Sequence, residues 1–286
     1  MPLPIPSELK AHVRAMFVGL QRDAAGAFPR PNALSSALSA LTIPVGSNQI
    51  RVAPAIAKLF ATASVDMWLR AVHSLLLSAA MTKSSPIWSS VAGYYSSHYA
   101  VRAIAHLLGY YHLYRIKRVV QLVLTGGTFD CTFEKKQGAD REHKFYWKVV
   151  RASPSFANDP LFPENNDAAP PASDVSHRSF ASYADTLQHL PQYSSLDIDT
   201  MKTRLDRISE IQITSPPIPD RERFPDLDSV QIVAYHRLIR YRKILDEIVG
   251  PSDRFWGVHR HPQWARGLVD YQQTDDSSLL HAPASR

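Results

Sequence analysis

From Val65 onward the apolar residues Val65, Trp68, Leu69, Val72, Leu75, Leu76 and Ala79 fall at i, i+3, i+4 and i+7, with Asp66, Arg70 and His73 on the flank. That spacing lines one face of a 3.6-residue helix, so the pattern predicts a long helix over 56–81. Lys83-Ser84-Ser85-Pro86 then turns the chain. Pro86 suits the first turn of a second helix, where a missing N–H has no intrahelical partner to lose. Gly109 ends that helix. On its wheel Trp88, Ala92, Tyr95, Tyr99, Arg102 and His106 share one line, while Tyr94, Val101, Ile104 and Leu108 cover the back. Apolar residues on both sides predict a central helix, with Arg102 and His106 in a partly buried aromatic stripe.

Weaker patterns flank this pair. Leu9, Val13, Met16, Phe17 and Leu20 predict a helix over 7–21 behind an N-capping Ser7, after which Pro29, Pro31, Pro44 and Pro54 predict irregular chain. From Ile116 the character changes. Val119 to Leu124, Thr128 to Phe133 and Phe145 to Val150 are rich in β-branched and aromatic residues, and Gly126-Gly127 separates the first two, so two or three antiparallel strands are predicted. Residues 152–176 hold Pro154, Pro160, Pro163, Pro170 and Pro171 with few apolar residues, a composition that cannot repay its ordering entropy. Helices are expected to resume over 180–190 and 199–211. The last one is marked by the capping box Asp228-Ser229-Val230-Gln231, with Leu227 and Ile232 as its staple and Gly250-Pro251 as its stop. Val230, Val233, Ala234, Leu238, Tyr241, Ile244, Leu245 and Ile248 form its apolar face.

Together these elements predict a mainly α fold: a helical bundle with a small antiparallel β insertion and a Pro-rich disordered loop. The expected divisions are an N-terminal helix and irregular segment (1–54), a helical core (55–115), a β-rich insertion (116–151), a flexible linker (152–176), a C-terminal helical part (177–269) and a polar tail (270–286). An apolar content of 45% and a charged content of 20% suit an ordinary globular chain of 286 residues. One cysteine, Cys131, excludes an internal disulfide and any multi-thiolate zinc site. Met1-Pro2-Leu3-Pro4-Ile5-Pro6 lacks the pattern of a secretory leader, and the longest apolar stretch is interrupted by Asp66, Arg70 and His73, so a cytoplasmic protein without membrane attachment is expected. The net charge of +6 favours a polyanionic partner.

The chain lacks the phosphate-cradling Gly-rich loop, the dinucleotide fingerprint, the Gly-x-Ser-x-Gly elbow and the His-Glu-x-x-His zinc motif. No cofactor is expected. His259-x-His261 has no carboxylate or further histidine at a telling spacing, so no metal site is expected either. The run Gly93-Tyr94-Tyr95-Ser96-Ser97-His98-Tyr99-Ala100-Val101-Arg102-Ala103-Ile104-Ala105-His106-Leu107-Leu108-Gly109 resembles the Tyr-Tyr-Ala-x-Phe-x-x-x-Arg-Ala-Leu helix of HEPN domains. These are nucleotide- and RNA-associated helical domains of many prokaryotic toxin and defence systems. The helix over 56–81 takes the place of the family's first helix, and the resemblance spans residues 55–110.

The resemblance implies an antiparallel bundle, often a homodimer, that acts as a metal-independent ribonuclease when it carries Arg, four to six residues, then His. Arg254-Phe255-Trp256-Gly257-Val258-His259 has that spacing, with His261 as a second option. The same stretch also reads as a binding surface, because Arg254, Trp256, Arg260, Trp264 and Arg266 interleave cations for phosphates with rings on which bases stack. Arg102 and His106 are a further candidate pair: a cation one turn from an imidazole binds phosphate or lowers the imidazole pKa. The alternative there is a structural role, with Arg102 on a buried carboxylate and His106 hydrogen-bonded to a tyrosine. The function expected is a binding or accessory role toward nucleic acid (RNA or single-stranded DNA), nucleotide or a protein partner. The alternative is a ribonuclease effector using Arg254 and His259.

Overall fold

The computed structural model describes residues 5–18, 20, 33–83, 85–114, 117–135, 142–157, 159–162, 198–211 and 229–249. Among them are helices α1 (Ser7–Phe17), α2 (Ala33–Ser39), α3 (Pro54–Met81), α4 (Pro86–Leu107), α5 (Glu142–Ala152), α6 (Ile198–Ser209) and α7 (Ser229–Val249). Strands β1 (Gln49–Val52), β2 (Tyr110–Leu113), β3 (Arg118–Thr125) and β4 (Thr128–Lys135) form one antiparallel sheet in the order β1-β4-β3-β2. The described protein is thus mainly helical with a small antiparallel sheet. None of its described helices is long and apolar enough to cross a membrane.

The chain divides into two compact units. The first comprises Met1–Met67, Val101–Ala157 and Ile244–Gly250, and the second Trp68–Ala100, Asn158–Lys243 and Pro251–Arg286. The first holds the sheet. The β3–β4 hairpin runs in register from Arg118 opposite Lys135 to Thr125 opposite Thr128. Its two-residue turn needs a left-handed backbone at both positions, which Gly126 (φ +56) and Gly127 (φ +80) adopt without strain. Gly109 (φ +84) turns the chain from α4 into β2, and a Cβ there would lie 2.3 Å from the Leu122 carbonyl oxygen. Val13 and Met16 of α1, Leu34 and Leu38 of α2, Phe60 of α3 and Ile104 of α4 are buried, as are Val120, Leu122 and Cys131 of the sheet and Tyr146 and Val150 of α5. Arg14 of α1 donates to the Ile248 carbonyl of α7, 3.1 Å away.

The second unit holds α3 from Trp68 on, α4 up to Ala100, α6, and α7 up to Lys243. Trp68 donates from Nε1 to the Leu238 carbonyl and stacks on Tyr241. Close approach of α4 and α7 rests on Gly93, where a Cβ would come within 2.9 Å of Val230 and 3.1 Å of Ser78. Beside it the amide nitrogen of Gln231 lies 2.9 Å from each of the hydroxyls of Ser78, Thr82 and Ser89 and shares its two N–H donors among them. Every predicted face residue of α7, from Val230 to Ile248, is buried.

Several elements differ from the sequence reading. Phe145 to Val150 forms not a third strand but the middle of α5, because Tyr146, Trp147 and Val150 bury together while Lys144 and Lys148, four apart, face water. A short apolar run looks the same in either state until a neighbour shows which face is covered. Ser7 is the first residue of α1 rather than its cap; Pro6 holds that position, with no capping side-chain hydrogen bond, and the helix ends at Phe17. The span 33–52, read as irregular, contains α2 and β1. The stripe on α4 is graded: Trp88 is 59% exposed, Ala92, Tyr95, Tyr99 and Arg102 are half-buried, and His106 is buried.

At the start of the Pro-rich segment, Phe156, Leu161 and Phe162 are buried. In the second unit Arg237 donates to the Leu161 carbonyl from Nε (2.9 Å) and Nη2 (2.7 Å) and to Ser97, and Arg240 pairs with Asp159 at 2.9 Å. Residues 163–176, the helix expected over 180–190, the capping box at Asp228 with its staple at Leu227, the stop at Gly250-Pro251 and the tail 270–286 lie outside the described residues.

Candidate functional site

Arg254, Trp256, His259, Arg260, His261, Trp264 and Arg266, on which the nuclease and one nucleic-acid reading depend, lie outside the described residues. Arg102 and His106 are described. Helical spacing puts them one turn apart on α4, and Gly109 then folds β2 back so that Tyr110 and Tyr111 reach the end of the same helix.

The geometry fixes the protonation of His106. Its Nδ1 lies 2.8 Å from the Tyr110 carbonyl, which can only accept, so Nδ1 carries the hydrogen. Arg102 donates from Nε toward Nε2 at 3.4 Å, which requires a lone pair there. The imidazole is therefore neutral and both its nitrogens are engaged. Burial is the main cause that lowers its pKa to about 3, and the Arg102 charge lowers it further against the opposing pull of the Tyr110 carbonyl. Tyr111 stacks on the ring (5.2 Å between centroids) and Tyr146 meets it edge-on (5.5 Å). The Arg102 guanidinium sits 5.0 Å from the centre of the Tyr146 ring. The tyrosine hydroxyl of Tyr146 accepts from the His112 backbone N–H, 3.2 Å away.

This enclosure decides what the pair can do. At 1% exposure His106 offers no face to a substrate. Held as a neutral base with its lone pair already accepting, it is poorly suited to donate a proton at neutral pH. Arg102 is half-buried and spends its Nε on the ring. The arrangement locks the α4–β2 junction to α5.

Tyr111 and Tyr146 went unnoticed as partners in the sequence because they stand on β2 and α5. The available signal was the spacing of Tyr146, Trp147 and Val150, which lines one face of a helix and breaks the alternation of a strand. Other reactive side chains are also closed. Burial, with the Asp130 carboxylate beside it, pushes the Cys131 thiol up to about 12, so it stays protonated. His12 of α1 packs edge-on to Phe129, and burial lowers its pKa to about 4. Among the described residues no three His, Cys, Asp or Glu side chains gather where they could hold a metal ion. Compared with protein-family models, curated proteins and solved structures, the chain matches none.

Proposed function

We propose that this chain is a non-catalytic binding or accessory protein, HEPN-like in its helical part, whose partner is nucleic acid in the form of RNA or single-stranded DNA. The non-catalytic half is supported by the closed state of Arg102 and His106, the one catalytic candidate pair among the described residues. Evolved acid–base sites keep a titratable group within reach of substrate and with a pKa near the working pH. His106 has neither property. The nucleic-acid half is supported by the net charge of +6 and a pI of about 9.4, which favour phosphate neutralisation. The HEPN-like run on α4 adds the setting of a prokaryotic toxin or defence system, with homodimers as the expected assembly.

The test is direct. The purified full chain, incubated with single-stranded RNA in EDTA, is expected to leave it intact while binding it with an affinity that falls steeply between about 50 and 200 mM salt. Cleavage in EDTA that disappears with Arg254→Ala or His259→Ala would replace this reading with the ribonuclease one, in which His259 moves the proton and Arg254 stabilises the charge on phosphorus. Binding that ignores salt would point instead to a small ligand in a pocket.

A further inference from the structure

We infer that Ser97 of α4 with Arg237 and Arg240 of α7 forms a recognition site for a short acidic–aromatic peptide turn, occupied in this chain by its own Asp159-Pro160-Leu161-Phe162. The occupant it fits is a partner protein that presents an Asp-x-Leu-Phe turn and displaces the internal copy. All the residues concerned belong to the second unit. The inference goes beyond the nucleic-acid reading above and does not depend on it.

The four residues shape themselves. Asp159 stands first in a β-turn that Phe162 closes, its N–H donating to the Asp159 carbonyl at 2.9 Å, and Pro160 holds the second position. Asp first and Pro second are the residues such a turn favours, because the proline ring presets φ and the carboxylate accepts from the backbone two residues on. That second bond is present: the Leu161 N–H donates to Asp159 Oδ1 at 3.0 Å. A segment that forms its own turn loses little conformational freedom on docking, which is what a short peptide ligand needs.

The site reads three features of this turn. Arg237 directs Nε (2.9 Å) and Nη2 (2.7 Å) at one main-chain oxygen, the Leu161 carbonyl, while its Nη1 donates to Ser97. Its guanidinium also lies 5.4 Å from the centre of the Phe162 ring, a cation over an aromatic face. Arg240, three residues along and on the same side of α7, donates from Nε to Asp159 Oδ2 at 2.9 Å, and both residues are buried. A carbonyl is common to every peptide, so the carboxylate and the ring, three residues apart, carry the specificity. Leu161 and Phe162 are buried too, so the turn brings apolar area along with its charge.

The helices have contacts of their own. Trp68 joins α3 to Leu238 and Tyr241 of α7, Gln231 bonds to Ser78 and Ser89, and Val230 lies against Gly93, all without the turn. Departure of Asp159–Phe162 therefore leaves a site whose arginines have lost these acceptors, and a ligand with an equivalent carboxylate and carbonyl restores them. An internal copy tethered to its site acts at high effective concentration, so it closes the site against weak binders.

The experiment uses the full-length protein and a fluorescein-labelled peptide of residues 157–164, Ala-Asn-Asp-Pro-Leu-Phe-Pro-Glu, read by anisotropy. Phe162→Ala in the protein loosens the internal copy and is expected to bind the peptide at least about tenfold more tightly than the parent, whose site is already filled. Peptides carrying Asp159→Asn or Phe162→Ala should not bind, and Arg240→Ala added to Phe162→Ala in the protein should abolish binding. Absence of peptide binding by a cooperatively melting Phe162→Ala protein would overturn the inference, as would equal binding of the substituted peptides. Single-stranded RNA that gains affinity for Phe162→Ala while the peptide stays unbound would overturn it too and make the arginines a phosphate site. Hydrogen exchange of the unaltered protein provides a readout that needs no variant. The Leu161 and Phe162 amides are expected to exchange through local opening, at least about tenfold faster than the Leu238 amide of α7. Exchange of all three only on global unfolding would show that the turn is fixed core and would refute the proposal.

Discussion

At the scale of single residues, His106, one of the catalytic candidates read from the sequence, is built fully into the structure. Arg102 donates to a buried lone pair and covers the Tyr146 ring, so Arg102→Ala leaves His106 Nε2 without that donor. The cost of an unsatisfied buried acceptor is about 1–3 kcal/mol, to be read as a drop in stability by urea unfolding. RNA cleavage, expected to be absent in the parent, should be absent in the variant as well. Gln231→Leu is a milder case: it keeps the volume and removes the amide donor to the hydroxyls of Ser78, Thr82 and Ser89, which keep their own bonds to the Ser89 and Ser78 carbonyls, so a loss of about 1 kcal/mol is expected. The sequence displayed Arg102 and His106 as a pair because both stand on one helix. It could not show that Tyr110, Tyr111 and Tyr146 would close around them, because those residues arrive from β2 and α5.

Among the elements, the long helices were legible and the short ones were not. α3, α4 and α7 are long enough for a helical period to emerge; the face read on α7 is buried throughout and that on α3 nearly so, whereas the stripe on α4 runs from exposed Trp88 to buried His106. α2 and β1 are too short for any period to emerge; β1 exists because β4 offers Cys131 and Asp130 opposite Ile50 and Arg51. The turns of the sheet can be tested by substitution. Gly109→Ala should destabilise severely, by more than about 2 kcal/mol, because the added Cβ meets the Leu122 carbonyl oxygen in a backbone conformation that alanine resists. At the hairpin, Gly126→Asn should cost only a few tenths of that figure, since nothing lies within 4 Å of a Cβ there and asparagine tolerates the left-handed turn. Thermal melts of the two variants side by side provide the comparison.

At the scale of the whole molecule, three described histidines that burial holds neutral make stability fall in acid. Burial lowers the pKa of His106 to about 3 and those of His12 and His236 to about 4, from 6.5 in the open chain. Above pH 6.5 these groups are neutral in both states and give no pH dependence. Below it the unfolded chain takes up protons that the folded one refuses, so stability declines as pH falls from about 6.5 toward 3–4, by up to about 1.4 kcal/mol per pH unit for each histidine. Denaturant unfolding at pH 7 and pH 5 should show this loss, and His236→Gln should make the dependence shallower. A stability that stays level between those pH values would contradict the buried neutral state.

The sequence by itself determined the helical character of the chain, the three long amphipathic elements, the β3–β4 hairpin with its glycine turn, and the positive charge. All of these are local: a period of 3.6, a pair of glycines and a charge sum need no partner to be read. Tertiary structure decided the rest. It made a helix of Phe145 to Val150 by covering one face of the run, and it drew Asp159 to Phe162 under Arg237 and Arg240 where the proline count suggested loose chain. It also sealed His106 among tyrosines from other elements while leaving Tyr114 exposed. Burial belongs to the assembled fold rather than to any residue, and burial decides whether an imidazole titrates, whether an arginine is free to meet a phosphate and whether a ring is available to a base.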